Sequence, residues 1–188
     1  MARPREFDAD AALERAVAVF AEHGFEGSSA QMLVDGMEIG RQSLYAAYGD
    51  KWQLYLAALK RYGEAEGRAH LDALRSGARG MDGIRAMLER VVQTAKRPCL
   101  GTNAVCEFGA AHPDIAKLRA PLAKRLRGAV AARIADAQKE GDAAAGLDPQ
   151  AAADYLIATI AGLRIGGRGG ADRAQLTGIA QLALRALR

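Results

Sequence analysis

The chain has 188 residues, a mass of 19.9 kDa and a net charge of +4, with half of its residues apolar and only 5% aromatic. That length accommodates one small and one larger helical domain, and the scarcity of aromatics suits Ala- and Leu-packed helices better than a β-sandwich. No apolar run approaches the roughly 18 residues of a membrane span, no basic-plus-apolar leader opens the chain, and two cysteines are too few for a secreted disulfide scaffold, so a cytoplasmic protein is expected.

The charge is unevenly placed. Residues 1–51 hold 5 Lys/Arg against 9 Asp/Glu, whereas the remainder holds 21 against 13. Bulk charge is therefore weak evidence for a nucleic-acid partner, and that reading rests on where individual side chains point. Met1 to Glu6 carries Arg3 and Arg5 around a proline without apolar periodicity. It reads equally as a basic arm lying along DNA, in a minor groove for instance, or as an ordinary charged terminus.

Asp8 is placed to cap a first helix in which Leu13, Ala16, Val17 and Phe20 follow helical spacing, and Gly24 ends it. The acids Asp8, Asp10 and Glu14 sit near the positive end of that helix dipole, which accounts for much of the local acidity. Ser28 and Ser29 come where a second helix should begin, and Gln31 stands three residues after Ser28 as in a capping box. Met32, Leu33 and Val34 give this short helix an apolar face, and Met37 and Ile39 flank a break before another helix starts near Gly40 or Arg41. Leu44 is its buried anchor. Two helices joined by a turn of a few residues, the second exposing Arg41, Gln42, Ser43 and Tyr45, form the layout of a helix-turn-helix that reads a major groove.

The segment Gly24 to Lys51 resembles the DNA-binding domain of the tetracycline-repressor (TetR) family. The resemblance is carried by Gly24-Phe25, Ser28-Ser29, Leu33-Val34, Glu38-Ile39, Leu44-Tyr45, Tyr48 and Lys51, about a quarter of the chain. It implies an all-α, dimeric transcriptional regulator: a three-helix DNA-binding domain at 1–51, and a helical effector-binding and dimerisation domain at 52–188, about nine helices in all. Two departures stand out. The family usually has Gly where Glu38 stands, because the turn tends to need positive φ, at a cost of roughly 1 kcal/mol for another residue. It also often places a phosphate-touching His or Tyr near Ala46 and Ala47, and neither alanine can serve. The DNA set expected here is Arg3, Arg5, Ser29, Arg41, Gln42, Ser43, Tyr45, Tyr48 and Lys51. Arg41, Tyr45 and Lys51 are assigned to phosphates and Gln42 and Ser43 to base edges, with Ser29 on a phosphate or its own helix cap and Tyr48 mostly packing.

From Lys51 onward Trp52, Leu54, Tyr55, Leu59 and Tyr62 open a long helix that continues past Leu71 and Leu74. Trp52 and Tyr55 read as packing residues. Ser76 to Gly83 reads as a turn, with Asp82 before a helix that buries Ile84, Met87, Leu88, Val91 and Val92 and breaks at Arg97-Pro98. Another helix runs through Asn103 and Cys106 to His112. From Pro113 a single stripe, Ile115 to Ile134, passes straight through Pro121, predicting one long helix kinked there. After the loop Gly141–Gly146, Asp148-Pro149 starts a helix ending in Gly166–Gly170, and Asp172 with Gln175 starts the last.

The two terminal helices are apolar on more than one side, which predicts half of a four-helix dimer bundle built from Leu156, Ile160, Leu163, Leu176, Ile179 and Leu184. In the middle helices Met87, Val91, Leu118 and Leu122 accompany Tyr62, Thr94, Asn103 and Cys106, the mixture expected of a cavity for a small, largely apolar effector. No nucleophile–base pair, phosphate loop or metal-ligand cluster is discernible, since Cys99 and Cys106 stand seven apart and His23, His70 and His112 are scattered; neither an enzyme nor a metal or other cofactor is expected. The expected partners are a double-stranded, pseudo-palindromic operator, a small-molecule effector and a second copy of the chain. The alternative signal is chemical, with Cys99 and Cys106 sensing oxidants or electrophiles and Arg97 favouring a thiolate at Cys99.

Overall fold

The computed structural model describes residues 8–109 and 112–188, so Arg3 and Arg5 lie outside the described residues. Among them are nine α-helices and no strand: α1 (Ala9–His23), α2 (Ala30–Met37), α3 (Arg41–Tyr48), α4 (Lys51–Ser76), α5 (Gly80–Thr94), α6 (Leu100–Phe108), α7 (Pro113–Lys139), α8 (Pro149–Arg168) and α9 (Arg173–Arg185). No helix among these residues is long and apolar enough to cross a membrane.

The helices form two compact units, and the chain divides between them differently from the expected break at residue 51. Of the described residues, the first takes those within 1–64 and 98–119, the second 65–97 and 120–188. The reason lies in the first core. Ala12, Ala16, Phe20, Leu33, Met37 and Leu44 of α1–α3 are covered by Leu54, Tyr55, Ala58 and Leu59 of α4 and by Leu100, Ala104 and Ile115, all of them buried. Three short helices alone enclose too little apolar surface, so the start of α4 and the whole of α6 complete this unit. The second core gathers Ile84, Met87, Leu88 and Val91 of α5, Val130, Ile134 and Ala137 of α7, and Leu156, Leu163, Leu176, Ala180 and Ala183 of α8 and α9.

Local chemistry sets the helix ends. Asp8 accepts from Asp10 N and Ala11 N, Asp148 caps α8 with Pro149 in its first turn, and Asp172 and Gln175 form a full capping box on α9. Four boundaries depart from the spacing-based expectation. Ser29, not Ser28, caps α2, and Gln31 donates to Asp35 Oδ1 instead of closing a box. Helix α5 begins at Gly80 inside the glycine-rich turn, because the Glu140 carboxylate accepts the Gly80 N–H at 2.7 Å. Helix α6 stops at Phe108, where Gly109 turns to φ 57°, short of His112. Helix α8 runs through Gly166 and Gly167 to Arg168: a Cβ on Gly167 would stand 2.6 Å from the Ala95 carbonyl oxygen, so glycine admits the chain there without ending the helix. Helix α7 is continuous through Pro121, which is exposed, so the carbonyl that loses its N–H partner is open to water.

Candidate nucleic-acid interface

The interface is built on α1, whose inner face of Ala12, Ala16 and Phe20 seats α2 and α3. Ser29 Oγ accepts from Met32 N at 3.1 Å and fixes the start of α2, while the buried Ser28 hydroxyl donates to Gly24 O at 2.6 Å. The turn that follows places Met37 and Ile39 in the core and puts Glu38 between them in the left-handed region, at φ 56° and ψ 40°. Arg15 secures it, donating through Nε to Met37 O at 3.1 Å and lying 3.5 Å from the Glu38 carboxylate.

Helix α3 is anchored by the buried Leu44. Arg41, Gln42, Tyr45 and Ala46 are exposed, and Ser43 is half-buried. Its N-cap, Gly40, offers no side chain to occupy the first-turn N–H groups. Tyr48 turns inward and its hydroxyl donates to Ala9 O at 3.2 Å, in line with a packing role. Lys51 opens α4 with its Nζ 4.3 Å from the centre of the Phe25 ring, a cation–π placement that holds the ammonium at the end of the motif.

The acidity of this region is consumed away from α3. Asp8 and Asp50 cap α1 and α4, Asp10 and Glu14 pair with Arg61 at 2.8 and 2.6 Å, and Glu38 pairs with Arg15. The exposed face of α3 itself carries one cation, Arg41, and no carboxylate.

Helix α6 buttresses the motif from behind, a role that spacing did not reveal. Glu107 accepts the backbone N–H groups of Phe25 and Glu26, each at 3.0 Å, and Asn103 Nδ2 donates to Ala21 O at 2.8 Å. Phe25, Trp52, Tyr55, Phe108 and His112 pack around this junction in edge-to-face, tilted and, for Trp52 with Tyr55, stacked pairs, with ring centres 4.3 to 5.9 Å apart, and Trp52 Nε1 donates to Asp114. Burial, together with the Glu107 carboxylate, pushes the Tyr55 hydroxyl above its ordinary pKa.

The residues expected to line an effector cavity divide between the two units. Tyr62, Asn103, Cys106 and Leu118 belong to the first, Met87, Val91, Thr94 and Leu122 to the second. Met87 and Val91 are fully buried, the Thr94 hydroxyl donates to Arg90 O, the Asn103 amide is engaged by Ala21, and Cys106 is exposed. Cys99 is the N-cap of α6, its sulfur accepting from the Thr102 N–H and hydroxyl at 3.4 and 3.2 Å. Seven helical positions separate it from Cys106, a rise of about 10 Å, beyond the ~7 Å reach of a disulfide. No group of three potential metal ligands occurs among the described residues.

The residues expected at a dimer interface mostly face inward. Leu156, Ile160, Leu163 and Leu176 are buried in their own unit, Leu184 is half-buried and Ile179 is 44% exposed. The apolar side chains that do stand outward on α8 and α9 are Tyr155, Ile165 (56% exposed), Ile179 and Leu182 (60%). Both stripes are apolar, and spacing alone drew every expected residue but Ile179 from the inner one.

Comparison with known proteins adds independent findings. A family model described as "Bacterial regulatory proteins, tetR family" matches residues 12–58, and one described as "Tetracyclin repressor-like, C-terminal domain" matches residues 80–186. The uncharacterized HTH-type transcriptional regulator YezE of Bacillus subtilis is 33% identical over 147 residues, 76% of each chain. The HTH-type transcriptional repressor ComR of Escherichia coli is 28% identical over 191 residues, covering 97% of this chain and 90% of that one. Among solved structures, a cysteine mutant of the TetR family transcriptional regulator CifR, complexed with 26 bp double-strand operator DNA, superposes with a TM-score of 0.82 at 30% identity over all of both chains. The chain therefore belongs to the tetR family of bacterial regulatory proteins and is a DNA-binding transcriptional regulator.

Proposed function

We propose that the protein is an effector-responsive repressor that binds a pseudo-palindromic operator as a homodimer and is released by a small, largely apolar molecule. The observation that carries the DNA half of this reading is the face of α3, where exposed Arg41, Gln42 and Tyr45 stand on the buried Leu44. Arg41, Tyr45 and Lys51 serve phosphates, and Gln42 and Ser43 reach base edges in the major groove. Ser29 is already committed as a cap, so its role is to hold α2 in place. A two-fold dimer sets the half-sites about 34 Å apart or at a near multiple, and the outward apolar residues of α8 and α9 support such an assembly.

The deciding experiment is fluorescence anisotropy on the operator against a scrambled duplex. Lys51→Ala weakens binding about equally on both and flattens the salt dependence, whereas Gln42→Ala loses about 1–3 kcal/mol of discrimination at one symmetric base position. Equal effects of the two changes on the scrambled duplex would overturn the assignment.

A second reading, in which Cys99 and Cys106 receive an electrophilic or oxidative signal, is favoured by the placement of Cys99 at the N-terminus of the helix that carries Glu107. In this form the thiols act singly, because α6 holds them apart. A Cys99→Ser/Cys106→Ser protein that still responds to its effector excludes it.

A further inference from the structure

Helices α4, α5 and α8 bring four ionisable side chains together inside the second unit. Glu66 accepts two bonds from Arg90, at 2.8 and 3.2 Å, and one from Arg164 Nη2 at 2.8 Å, while His70 Nε2 lies 3.5 Å from the same carboxylate. Arg164 is only 4% exposed and His70 only 6%, in a unit whose neighbouring core residues are Met87, Val91, Ala95 and Leu163. Burial, outweighing the attraction of Glu66, holds His70 near pKa 4, so its ring is neutral at pH 7.

Two guanidiniums and a neutral imidazole thus share one carboxylate, and the cluster carries one positive charge in excess. Arg164, the more buried of the two guanidiniums, shares its carboxylate with Arg90, so its charge is incompletely compensated. Two further observations point to an incoming partner. Arg164 Nη1 has only a long 3.4 Å bond to Thr94 O, and His70 Nδ1 is buried with no hydrogen-bond partner. Glu66 and Arg90 are each about a quarter exposed, whereas Arg164 and His70 are almost wholly buried.

We propose that Arg90, Arg164 and His70 form the head-group site of the effector, and that the effector is a monoanionic carboxylate on an apolar body. The assignment rests on the effector-responsive reading given above and names the ligand class for it. A single carboxylate neutralises the one excess charge, and its planar pair of oxygens matches the guanidinium fork. One oxygen takes the Arg164 Nη1 donor that is now poorly used. The other meets His70 Nδ1–H, the tautomer that binding selects by drawing Glu66 away from Nε2. A doubly charged phosphate would reverse the imbalance without removing it. Binding here also competes with Glu66 for Arg164, and Glu66 lies on α4, the helix that begins with Lys51.

The test uses the full chain without DNA, so its outcome is separable from that of the operator experiment. Thermal melting and titration calorimetry compare hexanoate with hexanamide, which has the same chain but no charge, and with inorganic phosphate. Hexanoate is expected to raise the melting temperature and hexanamide and phosphate to leave it unchanged. Arg164→Met leaves Glu66 with Arg90 as a neutral pair, so folding should survive, and hexanoate affinity should fall at least tenfold. If that variant does not fold, Arg90→Met and His70→Phe, each checked by circular dichroism, are expected to give the same loss. Equal stabilisation by hexanamide, a response to phosphate alone, or undiminished hexanoate binding in the folded variants would overturn the proposal.

Discussion

Glu107 holds Phe25: the carboxylate on α6 accepts the Phe25 N–H at 3.0 Å and, with its other oxygen, that of Glu26, 81 residues earlier in the chain. It caps the loop that delivers α2, and it occupies the space beside Gly24, where a Cβ would stand 2.9 Å from Oε1 on a backbone with φ 72°. Replacing Glu107 with Ala leaves two exposed amides to water, and the expected loss is about 1 kcal/mol of stability. Because the loop precedes the DNA-reading helices, operator affinity should fall as well, although no DNA contact is removed. Urea unfolding and anisotropy on the same variant check both halves; unchanged affinity would show that the loop is held without the carboxylate.

Glu38 occupies the left-handed region in the turn of the motif. Glu38→Gly and Glu38→Ala both delete the exposed ion pair with Arg15, so their difference isolates the backbone. The glycine variant should be the more stable by roughly 1 kcal/mol. Equal melting temperatures would mean that the turn relaxes out of this conformation when the side chain is shortened.

His70 imposes a pH dependence on stability. Burial first, then the charges of Arg90 and Arg164, hold it near pKa 4 in the folded chain against an ordinary 6.5, with Glu66 opposing. Between those values the unfolded chain binds a proton that the folded chain refuses, so stability is complete above about pH 6.5 and declines as the pH falls toward 4. The loss is up to roughly 3 kcal/mol. Glu66 adds a further loss at lower pH. Burial pushes its pKa up, but the hydrogen bond from Arg90 and the charge of Arg164 leave it below the usual carboxylate range. Urea midpoints at pH 5 and pH 7 should converge in His70→Gln relative to the parent chain.

The assembly is tested on the outward stripe. Ile179→Glu or Leu182→Glu places a charge on residues that are 44% and 60% exposed in the single chain, so folding should persist while the proposed dimer dissociates. Leu176→Glu, by contrast, buries a charge inside the unit and should unfold it. Sedimentation velocity separates the two outcomes, and an intact dimer in both outward variants would place the interface elsewhere.

Features set by neighbours in the chain were legible in the sequence. The capping box of Asp172 and Gln175, the start of α4 at Lys51 and the anchoring of α3 by Leu44 each depend on residues within one or two turns. Ser28 and Ser29 were locally equivalent, and only the bond from the buried Ser28 hydroxyl to Gly24 O decides which of them caps α2. The two apolar stripes of α8 were likewise equivalent until the second core claimed Leu156 and Leu163. Glu107 and Arg164 carry no local sign of their roles, because their partners Phe25 and Glu66 lie 82 and 98 residues away. Lys51 was read as the start of α4 and a phosphate contact, and the ring of Phe25 beneath it leaves no trace in local spacing.

The interleaving of the two units bears on any attempt to graft this reading head onto another sensor. A transplant cut after residue 51 carries α1 to α3 but leaves behind Leu54, Tyr55, Ala58 and Leu59, which close their core, and with α6 it abandons Leu100, Ala104 and the Glu107 carboxylate. The donor head would then sit on foreign packing at every one of those positions. A workable chimera has to move residues 98–119 together with 1–64, as two inserts in a single host, because the portable part is contiguous in space and split in sequence.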